Sequence, residues 1–161
     1  EPVVEATPMN TETAFFLPDL LVVDVEEIDE QHAELFAHLA QLKDLCIESN
    51  CLPAAEADAL LQSLSIHCDT EEKLAVAAGL DFTNHSIKHQ KMLKGIAHTL
   101  DEVRAGRTDV FSLIRFIEYW FERHIIDEDK ALGVHLKETS LNEFLADFSE
   151  CSPALSLPQS S

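Results

Sequence analysis

Residues 67–89 read HCDTEEKLAVAAGLDFTNHSIKH and contain two pairs of polar residues at helical spacing. His67 and Glu71 are four residues apart, and so are His85 and His89. Four residues on an α-helix make just over one turn, so each pair projects from a single face. Two helices joined by a short turn would bring the pairs together. An imidazole and a carboxylate that face two imidazoles form a ligand set for iron, manganese or zinc.

The same pairs also have a purely structural interpretation. A single histidine on an apolar helix face is usually a core or boundary residue whose polar atoms are hydrogen-bonded, and one pair at this spacing does not by itself indicate a metal. Two pairs in succession, with further histidines upstream and downstream, favour the metal interpretation.

Composition limits the class of protein. A chain of 161 residues with 46% hydrophobic residues suits one domain with a sizeable core. Thirty acidic residues against eleven basic ones give a formal net charge of −19, which repels phosphate backbones and anionic lipid surfaces. The apolar run at residues 15–23 is interrupted by Pro18 and Asp19 and is too short to span a bilayer. We therefore expect neither a nucleic acid nor a membrane as a partner.

The cysteine pattern indicates the compartment. Cys46, Cys51, Cys68 and Cys151 have unrelated spacings and form no CxxC motif, which is unlike a zinc ribbon or a secreted disulfide framework. Reduced thiols in the cytoplasm are expected. The chain opens on Glu1 rather than Met, so we expect a processed product or a piece of a longer protein, and the sequence leaves both open.

Four amphipathic stretches predict four helices. The first predicted helix ends at a Ser-Asn pair, and each of the other three ends at a glycine. Pro53 suits the first turn of the second helix, and Thr108 or Asp109 suits the start of the fourth. The predicted helices cover residues 28–49, 53–79, 83–106 and 108–133.

Short connections make antiparallel neighbours, so the sequence predicts an all-α fold, an up-down-up-down four-helix bundle, over residues 15–137. Residues 1–14 are predicted to be a flexible lead-in. The mostly apolar residues 15–25, at the start of the bundle region, are predicted to form an extended N-terminal arm. Ser140 followed by Glu143 predicts a short extra C-terminal helix within residues 138–150. Residues 151–161 are predicted to be a mobile tail.

Every predicted helix carries at least one histidine on its inner stripe. Burying five imidazoles and a carboxylate without partners would cost several kcal/mol each, against a domain stability of about 5–15 kcal/mol. A metal centre removes this difficulty, because neutral imidazoles and carboxylates are its natural ligands.

The complete set of these residues resembles the seven-ligand signature of the hemerythrin family, and of the bacterial hemerythrins in particular. The match includes the segments IDEQHAELF and WFERHIIDEDK and covers roughly residues 24–135. The seven matching residues are His32, His67, Glu71, His85, His89, His124 and Asp129.

This resemblance implies a cofactor of two iron ions, Fe²⁺ or Fe³⁺. By similarity, His85, His89 and His124 bind one iron, and His32 and His67 bind the other. The two carboxylates bridge the irons together with an oxo or hydroxo group. The iron with fewer histidines keeps an open position for O₂, which the family stores as a hydroperoxide while both irons become ferric.

The implied function is reversible O₂ binding for storage, delivery or sensing, without enzymatic activity as the main role. Two alternatives stay open: a sensing domain of a larger signalling protein with covalent neighbour domains, or a diiron protein that reacts with peroxide or nitric oxide. A ferritin-like or oxygenase site is not indicated, because no histidine follows a Glu by three residues, and the HExxH motif of zinc hydrolases does not occur.

Asp129 is assigned by family spacing alone. It follows His124 by five residues, which is about 140° around an ideal α-helix, so regular geometry favours Asp127 or Glu128 as the partner of His124. His38, His98 and His135 are expected to be solvent-facing or structural.

Three residues are expected to line the oxygen pocket: Cys68, Ile125 and Asp127. Cys68 replaces a phenylalanine that is common in the family, and the smaller side chain is expected to admit water and to shorten the life of the oxygen adduct. Asp127 points either toward the pocket or outward. A further departure is Asp24, which stands eight residues before His32 where the family has glycine.

Overall fold

The structure, a computed structural model, describes residues 16–49 and 51–150. All regular structure in these two ranges is helical. The long helices are α1 (Glu26–Ser49), α2 (Ala54–Ala77), α3 (Thr83–Arg104), α4 (Val110–His124) and α5 (Lys130–Glu150). A π-helical turn, Ile125–Asp129, joins α4 directly to α5, so the chain is helical without interruption from α4 through α5.

The helices pack around a shared apolar core. Helix α1 contacts α2 and α4, and α3 also contacts α2 and α4, as expected for a helical bundle. Leu39, Leu64, Ile96 and Ile117, one from each of the first four helices, are fully buried in this core. The prediction of an all-α chain is confirmed for the described residues.

The helix ends near the site follow local sequence signals. Gly79 and Gly106 have φ angles of 71° and 73°, the left-handed conformation that glycine adopts after a helix. The Asp109 carboxylate accepts a hydrogen bond from the backbone N–H of Ser112 at 3.0 Å and caps α4. The predicted ends of the second and third helices and the predicted start of the fourth are therefore confirmed.

The predicted helix end at Gly133 is wrong, and so is the separate short helix at residues 138–150, because α5 runs unbroken through both. A Cβ at Gly133 would lie 2.5 Å from the Val23 Cγ1 atom and 2.6 Å from the Val23 carbonyl oxygen. The glycine thus allows the N-terminal arm to cross the helix. The Ser140 hydroxyl donates to the carbonyl of Leu136 within α5 and caps nothing.

The described part of the N-terminal arm, residues 16–25, packs on the bundle as predicted, with Leu21 and Val23 buried. It is not fully extended, because Asp19–Leu21 form a 3₁₀ turn. The Asp29 carboxylate accepts hydrogen bonds from the backbone N–H groups of Val23 at 2.8 Å and Asp24 at 2.9 Å. Asp24 has a φ of 63°, a conformation that glycine adopts freely and aspartate tolerates.

The predicted lead-in, residues 1–14, and the predicted tail, residues 151–161, lie outside the described residues. Within the described ranges, none of the helices combines the length and apolar character needed to cross a membrane.

Candidate metal centre

The seven residues of the sequence signature lie together at one place in the bundle, contributed by α1, α2, α3, α4 and the π-helical turn. Six of them are at most 5% exposed, and the side chain of His85 is 11% exposed. The full set is His32, His67, Glu71, His85, His89, His124 and Asp129.

The five histidines form two groups through their Nε2 atoms. In the two-histidine group, the Nε2 atoms of His32 and His67 are 3.0 Å apart. In the three-histidine group, His124 Nε2 lies 3.0 Å from His85 Nε2 and 2.9 Å from His89 Nε2. These groups contain the same residues that the family resemblance assigns to each of two irons.

Glu71 lies between the two groups. Its Oε1 atom is 3.0 Å from His67 Nε2, in the two-histidine group. Its Oε2 atom is 3.3 Å from both His85 Nε2 and His89 Nε2, in the three-histidine group. One carboxylate therefore directs one oxygen to each group.

Asp129 has the same arrangement. Its Oδ2 atom is 3.2 Å from His32 Nε2. Its Oδ1 atom is 2.9 Å from His124 Nε2 and 3.0 Å from His85 Nε2. The two carboxylates thus connect the two groups twice.

The π-helical turn explains why Asp129, rather than Asp127 or Glu128, faces His124. The backbone N–H of Lys130 donates to the carbonyl of Ile125, five residues earlier. Such a turn takes in one residue more than an α-helical turn, and π-turns are frequent at functional sites. The geometric preference for Asp127 or Glu128 was wrong because it assumed a regular α-helix.

The unpaired polar atoms of the centre test whether a metal fits. Both oxygens of Glu71, both oxygens of Asp129 and the Nδ1 atom of His32 are buried without a hydrogen-bond partner in the described structure. The nearest polar neighbours of these oxygens are the imidazole Nε2 atoms at 2.9–3.6 Å, so in the metal-free chain only protonated imidazoles offset the desolvation of these carboxylates. Ligation would satisfy all four oxygens, so this buried cluster of His, Glu and Asp residues could hold a metal ion.

The spacing of the donor atoms gives a second test. Within each group the candidate ligand atoms all lie within 4.8 Å of one another. Donors about 2.1 Å from an octahedral metal are about 3.0 Å apart along an edge, whereas a tetrahedral arrangement separates them by about 3.4 Å. The separations between donor atoms run from 2.9 to 3.6 Å and include both values, so they fit a metal ion of either geometry.

The carboxylates also control the protonation of the imidazoles in the metal-free chain. Burial lowers the pKa of His32, but the carboxylates of Asp129 and Glu71 outweigh burial and raise it to about 9. The same balance raises the pKa of His85 to about 9. Although burial opposes their ionisation, contact with the histidines lowers the pKa of Glu71 and of Asp129. Metal binding must therefore displace protons from the site.

Gln31 orients one candidate ligand, His67, and no motif in the sequence points to it. The Nδ1 atom of His67 lies 2.8 Å from Gln31 Oε1, and Gln31 Nε2 donates to the Thr70 hydroxyl at 3.0 Å. If Nδ1–H donates to this amide oxygen, the Nε2 lone pair points into the centre. Gln31 directly precedes His32 in the sequence, but its contact is with the next helix, and no local pattern signals that.

Aromatic rings surround the imidazoles. Trp120 stacks on His124 with a centroid distance of 4.6 Å and an interplanar angle of 14°. Phe82 stacks on His85 at 4.4 Å. The buried Phe121 meets both rings of the two-histidine group edge-on. These rings cover part of each imidazole and restrict the orientation of the candidate ligands.

The three residues expected to line the oxygen pocket differ in position. Cys68 and Ile125 directly follow the candidate ligands His67 and His124 in the sequence, and both are buried. Burial raises the pKa of the Cys68 thiol, so it stays neutral. Asp127 is 51% exposed and lies 3.3 Å from Arg123 Nη2, so its carboxylate points outward and does not line the centre. Glu128 pairs with Lys88.

The remaining histidines lie outside the centre, as predicted. His38 Nε2 is 3.5 Å from a Glu56 oxygen, and His135 Nδ1 is 3.6 Å from a Glu138 oxygen. His98 is exposed on α3.

Comparisons with protein families, with curated proteins and with solved structures gave no match to this chain.

Proposed function

We propose that this chain is a hemerythrin-like protein that binds O₂ reversibly at a pair of iron ions, in a bundle whose helices run up, down, up and down. One observation carries the proposal: Glu71 and Asp129 each direct one oxygen to the two-histidine group and the other oxygen to the three-histidine group. Two carboxylates that each place one oxygen near each histidine group suit a pair of adjacent metals better than a single metal.

The unequal groups indicate where a small ligand would bind. Five residues supply donor atoms to the three-histidine group, and four supply them to the two-histidine group. For metals that prefer six donors, the two-histidine group leaves more positions open. We assign the oxygen-binding position to that group, next to His32 and His67.

The protein residues hold and shield this site. When bound, the two irons would supply the electrons on which reversible O₂ binding depends. Phe121 and Ile125 are at most 1% exposed and keep bulk water from the centre. Gln31 holds the ring of His67 in place. Glu71 and Asp129 supply two negative charges that offset the charge of the metals.

A sensing role is the second candidate, and the position of Asp129 favours it. This ligand belongs to the π-helical turn, whose next residue, Lys130, begins α5. A change at the metals that moves Asp129 would act directly on α5, which extends for 21 residues from this turn. Storage and sensing both use the same centre.

Metal analysis and visible spectroscopy test the proposal. We expect two irons per chain, and a visible absorption band that appears when the reduced protein meets O₂ and disappears when O₂ is removed. His135→Ala, which changes an exposed histidine outside the centre, should leave both results unchanged. One zinc per chain, or less than one iron at full loading, would contradict the proposal.

A further inference from the structure

The C-terminal part of α5 is a helix whose side chains are left in solvent. Residues 140–149 are all helical and all exposed. Isolated helices of about this length are marginal in water, because most helical stability in proteins comes from packing one face. A helix that is exposed along ten consecutive residues indicates that this face packs on something else.

The apolar residues of this segment form one stripe. Leu141, Phe144, Leu145 and Phe148 follow the spacing i, i+3, i+4, i+7, which places them on one face of the helix. They are 57%, 61%, 55% and 69% exposed, respectively. We call these four residues the α5 stripe. This is the pattern of a helix that pairs with another helix.

We propose that the α5 stripe is a dimer interface, on which the stripe of a second copy of this chain packs in antiparallel orientation. The order of the side chains supports this partner. In an antiparallel pair, Leu141 faces Phe148 of the second copy and Phe144 faces Leu145, so a large side chain always meets a smaller one. Parallel pairing would place phenylalanine against phenylalanine. The stripe is therefore complementary to itself around a two-fold axis.

The charges near the stripe oppose the contact, and the apolar contact has to outweigh them. The chain carries a net charge of −19, so two copies repel over most of their surfaces. Ser140 and Ser149 flank the stripe at about 90° on either side, and Glu143 lies about 150° away, on the opposite face. The carboxylates of Glu138, at about 70°, and Asp147, at about 110°, lie near its edges. Association should therefore strengthen as added salt screens these charges.

The apolar area suits a weak, reversible dimer. From their exposed fractions, the four side chains together present about 400 Å² of accessible surface, which is within the range of functional patches on monomers. Two stripes would remove at most about 800 Å² from water, below the roughly 1,000 Å² of a stable specific interface. A dimer of this size dissociates on dilution.

Sedimentation of the iron-loaded chain over a range of concentrations tests this proposal. We expect a mass of twice the 18.0 kDa of one chain at high concentration, and its halving on dilution. The variant Phe144→Ser/Leu145→Ser, changed at the centre of the stripe, should stay monomeric throughout. Phe116→Ser is the control, because Phe116 is also apolar and 46% exposed but lies on α4, and it should dimerise like the native chain.

Hydrogen exchange of the native chain gives a readout that does not depend on any variant. Protection of residues 140–149 should increase with concentration. A monomer at all concentrations would overturn the proposal. If residues 140–149 of that monomer are protected, and lose the protection when residues 1–15 are removed, the chain covers its own stripe. A dimer that persists unchanged in Phe144→Ser/Leu145→Ser would also overturn it, because the contact would lie elsewhere.

Discussion

Glu71 and Asp129 have equivalent places in the centre but reach them through different backbones. Glu71 follows His67 by four residues in the regular helix α2, and its nearer oxygen is 3.0 Å from the Nε2 atom of that histidine. Asp129 follows His124 by five residues across a π-helical turn, and its nearer oxygen is 2.9 Å from the Nε2 atom of that histidine. The spacing of two ligands in a sequence therefore indicates their geometry only when the helix between them is regular.

Deleting one residue from the π-helical turn should have the largest effect. Without Ile126, His124 and residue 129 would be four positions apart, and the turn would become α-helical or shift all of α5. The Asp129 carboxylate would then leave both groups. We expect less than one iron per chain and a large fall in the melting temperature, because ligand binding to the folded state stabilises it.

Deletion of Ala146 is the matched control for that experiment. It also removes one residue, but from the exposed part of α5, far along the chain from any candidate ligand. Iron content should stay at two per chain. If both deletions lower the iron content equally, the π-helical turn has no special role in placing Asp129.

The two carboxylates can be compared directly by the isosteric changes Glu71→Gln and Asp129→Asn. Each change removes one negative charge that is shared by both groups, so we expect each to weaken iron binding at least about a hundred-fold, or about 2.7 kcal/mol. Competition with a chelator of known affinity measures this loss. Similar losses would confirm that the two residues are equivalent, and a loss in only one variant would contradict it.

The pH dependence of stability should differ between the metal-free and the iron-loaded chain. In the metal-free fold, His32 and His85 have a pKa of about 9, against 6.5 for an unperturbed histidine. The folded chain then binds more protons than the unfolded chain between these values, so stability falls, by an amount on the order of a few kcal/mol, as pH rises from 6.5 to about 9. Below pH 6.5 the lowered pKa of His89, Glu71 and Asp129 acts in the opposite direction, and stability falls as pH falls.

Iron should reverse this trend, because ligation requires neutral imidazoles. The stabilisation that iron confers should therefore grow from pH 6.5 to 9, and acid should release the metal. Urea unfolding of both forms across this pH range measures the difference. A metal-free chain whose stability is constant over this range would show that the carboxylates do not hold protons on His32 and His85.

The smallest effect concerns the contact that fixes α5 beyond the π-helical turn. In Gly133→Ala, the added methyl group would collide with the backbone oxygen of Val23, and we expect a loss of about 1–3 kcal/mol in the free energy of unfolding. Gly95→Ala, in the interior of α3 with no atom within 4 Å of the new methyl group, should gain about 0.5–1 kcal/mol. Equal effects in the two variants would mean that the arm does not restrict Gly133.

Much of the fold and most of the candidate site follow from local patterns. The period of the apolar residues, the turns at Gly79 and Gly106 and the cap at Asp109 predict three helix boundaries, because each depends on neighbouring residues only. The His67–Glu71 pair in α2 and the His85–His89 pair in α3 follow from the same regularity. By these means the sequence determined a helical fold over the described residues, with a buried cluster of histidines and carboxylates.

Other features depend on contacts between distant segments, and only the tertiary structure decided them. Gly133 resembles a helix end in the sequence, but it lies inside α5 because Val23 packs against it from the other end of the chain. Gln31 holds His67 from a different helix. Asp129 reaches the histidines because the backbone between α4 and α5 contains one residue more than a regular α-helical turn. The hydrogen bond from the Lys130 N–H to the Ile125 carbonyl closes this turn, and no local sequence preference predicts it.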